Sequence, residues 1–432
     1  MKLCMIGTGY VGLVSGVCFS DLGNTVYCVD KNISKINKLN NGNIPIYEPG
    51  LEEILKRNFK RKKLIFTTNL KKAIVNSDII FICVGTPTKK KSNSADLKYV
   101  LQAAKDICKF TNKYKIIVTK STVPVTTGDK IEKIFKDRRK IKHVDIVSNP
   151  EFLREGEAIR DFLYPDRVVI GTKSKKANKF MKSLYLPIVK NDSRYLNTSR
   201  RAAELIKYAS NAFLATKITY INELANLCEK TEVNIKDISV GMGLDQRIGA
   251  RFLRAGPAYG GSCFPKDTRA ILETSKKFNV DLSVINSVVK SNEKRKKLLI
   301  KRVEQILEYK FQNKIITFLG VTFKPNTDDM REASSLNMIN YLSKKKCHIR
   351  YYDPTGKKEE FEKTRNVQYF NSISSACHKS DLIIIHTEWN EFKLLDFKKL
   401  VMKKNIKIFD MRNIYSLEKM KKLGINYFSI GR

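Results

Sequence analysis

A chain of 432 residues, 42% hydrophobic and carrying a formal charge of +39, is long enough for two or three cored domains. No stretch approaches 18 apolar residues without a charge and the opening lacks the regions of a signal peptide, so neither a membrane span nor export is expected and a cytoplasmic location is. Nine cysteines without a CxxC pair and four scattered histidines exclude a disulfide framework and a metal cluster. The 82 Lys and Arg against 43 Asp and Glu are spread in short clusters such as KRNFKRKK (56–63), with no arm or finger to concentrate them. That distribution reads as a basic surface that steers anionic substrates, with no specific nucleic-acid partner.

The first segment, KLCMIGTGYVGLVSGVCFSDLGNTVYCVD, predicts a buried strand, a glycine turn, a helix and a second strand ending at Asp30. Gly7, Gly9 and Gly12, with Tyr10 and Val11 between the last two, form a GxGxxG loop in the strand-to-helix setting that binds dinucleotides. Asp30 stands where a carboxylate accepts hydrogen bonds from the adenosine ribose and repels a 2′-phosphate, which favours NAD over NADP. Lys35 is a ribose contact or plain surface. The runs DIIFICVG (78–85), KIIVTKSTVP (115–124), VDIVSNPE (144–151) and RVVIGT (167–172) alternate with charged helix-like stretches, the pattern of a parallel sheet covered by helices.

From Ser199 to about Glu229 there is no Gly or Pro, and the apolar positions leave little polar face, which predicts a long, largely buried helix suited to a spine or dimer interface. Helical sequence continues to about residue 300. KIITFLG (314–320), a helix from about Ser334 to Lys345, HIRYYDP (348–354), DLIIIHTEW (381–389) and IKIFDMRN (406–413) then repeat the opening theme without its three glycines. The expected architecture is α/β: two Rossmann-like doubly wound parallel-sheet domains, residues 1–196 and 301–432, joined by a central helical domain, 197–300.

In AYGGSCFPKDT (258–268), Pro265 fits the first position of a helix, so the sulfur of Cys263 meets free N–H groups at a positive dipole end, with Lys266 adding charge. Both features push a thiol toward thiolate. Gly260 and Gly261 let a substrate approach the backbone, and Asp267, four residues on, shares the cysteine's face and can handle a proton. A nucleophilic cysteine beside NAD implies oxidation of an aldehyde through a thiohemiacetal to a thioester, followed by hydrolysis.

GGSCFPKDT, together with NPEFLREGEAIRDFLYPDRVVIG (149–171), ELIKYASNAFLATKI (204–218) and FKPNTDDMREA (323–333), resembles the UDP-glucose 6-dehydrogenase family along essentially the whole chain. The resemblance implies two-fold oxidation of UDP-glucose at C6, consuming two NAD and one water. It casts Cys263 as the nucleophile, Lys207 and Asn211 as the pair that stabilises the C6 oxyanion, and Thr122, Glu151, Glu155 and Asp267 as the groups around the hydrolytic water. For the cofactor it adds Thr86, Thr122, Glu155, Lys266 and Arg331. For the nucleotide sugar it points to Glu151, Phe152, Leu153, Arg154, Glu155, Phe252, Gly260, Lys324 and Arg412. Arg247 resembles an arginine that reaches into a neighbour's site, so a homodimer is implied. A GDP-mannose 6-dehydrogenase shares the cysteine, the lysine and the fold. A basic nucleic-acid-binding protein built on a dehydrogenase fold is the competing reading from another class.

Overall fold

The computed structural model describes residues 1–89, 92–189, 192–400 and 406–432. They form two compact units, one of residues 1–210 and 269–280, the other of residues 211–268 and 281–432.

The first unit is built on an eight-stranded sheet: β1 (Lys2–Ile6), β2 (Thr25–Val29), β3 (Leu64–Thr67), β4 (Ile79–Ile82), β5 (Lys115–Thr119), β6 (Val144–Ser148), β7 (Val168–Gly171) and β8 (Tyr195–Thr198). Its order is β3-β2-β1-β4-β5-β6-β7-β8. β1 and β4 lie side by side although a crossover separates them in the chain, so their carboxyl ends mark the point where strand order reverses and a ligand crevice opens. The apolar runs are buried because helices cover both faces. One layer includes Leu3, Met5, Phe19 and Phe81 and the other Cys4, Ile80, Ile82 and Ile117. The sheet is not parallel throughout, as β6 meets β7 antiparallel at Ser148 and Gly171 while β7 and β8 run parallel to each other.

The second unit carries a six-stranded, all-parallel sheet: β9 (Ile315–Leu319), β10 (His348–Tyr352), β11 (Val367–Tyr369), β12 (Leu382–Ile385), β13 (Lys407–Asp410) and β14 (Asn426–Ser429). Its order, β11-β10-β9-β12-β13-β14, is that of the first six strands of the other sheet. The recurrence seen in the sequence is therefore a recurrence of topology. Long helices Arg200–Thr231 and Ser283–Ile306 flank the shorter Ile235–Leu244 and Phe264–Lys277 to form the helical middle of the chain.

The helix Arg200–Thr231 is less buried than its composition suggests. Leu205, Phe213, Tyr220 and Leu227 are 45%, 66%, 50% and 58% exposed. Apolar positions all round a helix serve two surfaces, and only one of them faces its own chain here.

That helix begins on the first sheet unit. The Glu204 carboxylate accepts hydrogen bonds from the Gly128 N–H at 2.7 Å and the Ser148 hydroxyl at 3.1 Å, and Arg200 reaches Asp129 at 3.0 Å and Glu132 at 2.6 Å. The other carboxyl oxygen of Glu204 is buried without a hydrogen-bond partner among the described residues. Burial pushes this carboxyl up to about 7, against the donors from Gly128 and Ser148. The folded chain thus binds this proton more tightly than the unfolded one, so the group's contribution is full at low pH and is lost as pH rises from about 4.5 through 7. Glu204→Gln should flatten that decline and gain up to about 3 kcal/mol relative to the parent above pH 8, read by urea denaturation across pH. A parent and variant with parallel pH profiles would contradict the assignment.

Candidate active site

The glycine loop is dictated by steric contact. Gly7 has φ +101°, and a side chain at Gly12 would put Cβ 1.9 Å from the Gly7 carbonyl oxygen, so neither position admits another residue. A Cβ at Gly9 meets nothing within 4 Å, which leaves the space beside that part of the turn open to a pyrophosphate. Asp30 lies just past β2, its Oδ2 accepting from the Thr8 N–H (3.0 Å) and hydroxyl (2.8 Å) and its Oδ1 from the Asn32 N–H (3.1 Å). Burial opposes its charge, but the donors from Asn32 and Thr8 and the nearby Lys35 ammonium, 3.7 Å away, outweigh it and hold the carboxyl below the usual aspartate range. An ionised carboxylate beside a bare glycine turn fits NAD. On the next loops Thr86 donates to the Thr122 carbonyl at 2.9 Å, bringing these two predicted contacts together.

Beyond β6 the segment 151–157 folds around carboxylates. Glu151 Oε1 sits 3.2 Å from the Lys207 ammonium, both side chains nearly buried, and Oε2 accepts from the Leu153 N–H at 2.6 Å. The Lys207 ammonium lies 5.2 Å and the Arg167 guanidinium 3.8 Å from the centre of the Phe152 ring. Arg154 is engaged by Asp161 (2.6 Å) and Glu157 (2.7 Å). Glu155 is half-buried in the same loop.

Three residues that pattern-reading passed over shape this region. The Glu48 carboxylate, from the YEPG turn, accepts from Gly156 N–H (2.7 Å) and Ala158 N–H (2.8 Å) and pairs with the Tyr10 hydroxyl, so it ties loop 154–158 to the helix after the glycine turn. Lys120, buried, donates to Asn149 Oδ1 (3.3 Å) and the Tyr185 hydroxyl oxygen (3.2 Å). Burial pulls the Lys120 ammonium down to about 8, with Cys83 and Glu151 opposing the fall and Lys207 deepening it. The sequence signal for Glu48 was an acid just before Pro-Gly. For Lys120 and Asn149 it was a polar residue directly after a buried strand.

In the second unit, Cys263 is partly exposed whereas the other eight cysteines are buried. Its carbonyl accepts the Asp267 N–H at 2.8 Å, so it caps the fourteen-residue helix Phe264–Lys277, with its sulfur 3.5 Å from the Ser262 hydroxyl. Phe264 opens the helix and Pro265 follows, one position deeper than the sequence suggested. Pro has no N–H to leave unsatisfied in either place. Asp267 is buried and anchored on both oxygens, by the Asn211 amide at 2.6 Å and the Lys266 ammonium at 2.5 Å. Asn211 and Lys207 are one turn apart on their helix. The glycines before the cysteine are closely packed on the side where a Cβ would project. A Cβ on Gly260 would lie 2.7 Å from the Glu332 carbonyl oxygen, and one on Gly261 (φ +80°) 2.6 Å from the Phe323 ring.

The remaining predicted contacts are distributed. Phe252 adopts φ +67° and packs edge-on against Phe264. Lys324 lies half-buried with its ammonium 5.7 Å from the Phe323 ring. Arg412 donates to the carbonyls of His386 (2.8 Å) and Phe323 (2.7 Å) and pairs with Glu388, so its fork is used within its own sheet unit. Arg331 and Arg247 are exposed and fold back on Asp329 and Asp245. Among the described residues no group of three or more His, Cys, Asp or Glu could hold a metal, and no helix is long and apolar enough to cross a membrane.

Alanine at Gly12 should weaken NAD binding at least about tenfold, since its methyl displaces the Gly7 carbonyl that shapes the turn. Fluorescence titration with NAD reads this, and an unchanged affinity would refute the role assigned to the loop.

Three family models match in chain order: the NAD binding domain of the UDP-glucose/GDP-mannose dehydrogenase family over residues 1–189, its central domain over 201–294 and its UDP binding domain over 317–417. A UDP-glucose 6-dehydrogenase of Rhizobium meliloti is 45% identical over 100% of both chains. A UDP-glucose dehydrogenase structure from Pyrobaculum islandicum superposes with TM-score 0.89 at 33% identity, covering 99% of this chain and 96% of that one. A UDP-D-ManNAc dehydrogenase structure from Pyrococcus horikoshii gives TM-score 0.87 at 26% identity, covering 100% and 99%. With its glycine cradle, its helix-capping cysteine and two sheets of one topology, this chain belongs to the UDP-glucose/GDP-mannose dehydrogenase family of NAD-dependent oxidoreductases.

Proposed function

We propose that the chain oxidises UDP-glucose twice at C6 to UDP-glucuronate, with Cys263 as the nucleophile. The observation that carries this reading is the placement of that thiol: it alone of nine cysteines lies outside the buried set, at a helix amino end, one turn from an Asp267 held by Asn211 and Lys266. The choice of UDP-glucose is supported by the activity named for relatives 40% to 45% identical over the whole chain.

Bound NAD supplies the chemistry of hydride acceptance, once in each of the two oxidations. In the first oxidation the C6 hydroxyl loses its proton to solvent and the C6 carbon loses a hydride, giving the aldehyde, and the Lys207 ammonium and Asn211 amide donate to its oxygen. Such donors contribute about 2.7–4 kcal/mol each when aimed at developing charge. The Cys263 sulfur then bonds to C6 as the carbonyl oxygen takes up a proton, giving a thiohemiacetal; loss of its hydroxyl proton to solvent and of its C–H hydrogen as the second hydride leaves a thioester. Water adds to that carbon, the C–S bond breaks, and carboxylate and thiol separate. Thr122, Glu151, Glu155 and Asp267 are assigned to orient this water and take its proton. Asp267, bonded to Asn211 and Lys266, and Glu151, bonded to Lys207 and the Leu153 N–H, are each held in a fixed direction for this task.

Residues 1–196 are assigned to NAD, 197–300 to dimerisation and 301–432 to the UDP-sugar. Phe152, Leu153, Arg154, Phe252, Gly260, Lys324 and Arg412 belong to the sugar nucleotide in this reading, and Lys35, Lys266 and Arg331 to the cofactor. A homodimer is supported by Phe213, Tyr220 and Leu227, exposed at intervals of seven on one face of their helix, and by Val240 and Leu244, 55% and 78% exposed on the next. Arg247, 89% exposed at its side chain and paired with Asp245, is assigned to reach a partner copy.

Cys263→Ser should abolish release of UDP-glucuronate while NAD still binds, because an oxygen adduct does not proceed to the acid as a thioester does. Unimpaired turnover would contradict covalent catalysis. Purified protein with NAD should form two NADH per UDP-glucose, and NADH formed only with GDP-mannose or an acetamido sugar nucleotide would overturn the substrate. In sedimentation, Phe213→Glu should shift a dimer toward monomer mass, and a parent already monomeric at micromolar concentration would sink the dimer.

A further inference from the structure

The segment Gly256–Gly261, which delivers the chain to Cys263, is buried and has no regular secondary structure. A buried irregular segment must still satisfy its backbone groups, and here side chains of two long helices do so. Asn222 Oδ1 accepts the Gly256 N–H at 2.9 Å and its amide lies 3.5 Å from the Pro257 carbonyl. Arg295 donates through Nε (3.3 Å) and a terminal nitrogen (3.1 Å) to the Gly256 carbonyl. Asn292 closes a two-way pair with Tyr259, accepting its N–H at 2.9 Å and donating to its carbonyl at 3.1 Å. All three side chains are almost fully buried.

We propose that Asn222, Asn292 and Arg295 are positioning residues for Cys263, setting the place of its sulfur through the backbone of residues 256–259. The inference rests on the reading of Cys263 as nucleophile.

Arg295 is an expensive way to hold a core together. Its other acceptors are Asn226 Oδ1 at 2.6 Å and the Asn222 carbonyl at 3.4 Å, so the buried guanidinium bonds to neutral oxygens. Burial draws it down to about 10, with Glu229 opposing and Arg302 adding to the fall. Neutral packing would serve stability as well, whereas a planar fork with several donors fixes the direction of a carbonyl. On its far side the segment has no slack, since Gly260 and Gly261 abut the Glu332 carbonyl and the Phe323 ring and the Gly261 N–H donates to the Arg331 carbonyl at 2.8 Å. A clamp on one side and a wall on the other leave the stretch Ser262–Cys263 to present the thiol. An error of about 1 Å there costs about 100-fold in rate.

The test uses the full-length enzyme with Asn222→Ala, Asn292→Ala, Arg295→Met and Arg295→Lys, and reads kcat, KM, NAD affinity, melting temperature and the rate of Cys263 alkylation by iodoacetamide. Asn292→Ala and Arg295→Met should lower kcat by about 10- to 100-fold and change the alkylation rate several-fold, leaving NAD affinity unchanged. Arg295→Lys should recover part of both losses. Folded variants whose kcat and alkylation rate stay within twofold of the parent overturn the proposal, and if Arg295→Met does not fold, Asn292→Ala and Arg295→Lys decide it. Turnover by Cys263→Ser, assayed beside these variants, would instead defeat the nucleophile reading, which keeps that failure distinct from a failed clamp.

Discussion

A sulfur can form and release a bond to carbon only where a substrate can reach it and where its negative charge is supported. In this chain the one thiol placed at a helix amino end is that of Cys263, before Phe264–Lys277, where its carbonyl accepts the Asp267 N–H and its side chain is partly exposed, while the other eight cysteines are buried. Burial drives thiols such as Cys4, Cys18 and Cys28 well above the ordinary cysteine range, so they are inert. Position on a helix end, more than residue type, distinguishes the reactive candidate from the packing residues.

The dinucleotide site rests on a different physical argument, absence of atoms. Gly12 is required because a methyl would occupy the space of the Gly7 carbonyl, and Gly9 leaves its backbone open. The turn is then held by charge. Glu48 joins Tyr10 to the N–H groups of Gly156 and Ala158, and Asp30 draws in Thr8 and Asn32. Carboxylates thereby convert flexible connections after strands into fixed ones, which is what preorganised donors need.

Buried charge recurs where loops need direction. Glu204 takes the Gly128 N–H, Lys120 holds Asn149 and Tyr185, and Arg295 holds Gly256. Each costs desolvation, visible as a carboxyl raised and two cations lowered. In each case a helix or strand end supplies the charged group, which meets a helix's first turn at Gly128, the Asn149 and Tyr185 side chains, and irregular backbone at Gly256.

Central strands, the glycine turn, the long helix and the recurrence of the α/β pattern were legible in the chain because each depends on local periodicity or on glycine sterics. β12, for instance, is a run of Leu and Ile bounded by polar residues. The short edge strands β3, β8, β11 and β14 were not legible, since half-exposed positions carry little hydrophobic signal. The reversal of direction at β7, the exposure of Phe213 and Leu227, and the packing that occupies the space beside Gly260 were settled by tertiary structure. The same holds for the partners of Lys120, Glu48, Asn222, Asn292 and Arg295. A sequence determines which residues favour a turn, a strand or a helix end, because those choices are made by neighbours in the chain. Which carbonyl a buried side chain will meet depends on residues far away in sequence, and only folding brings them within hydrogen-bonding distance.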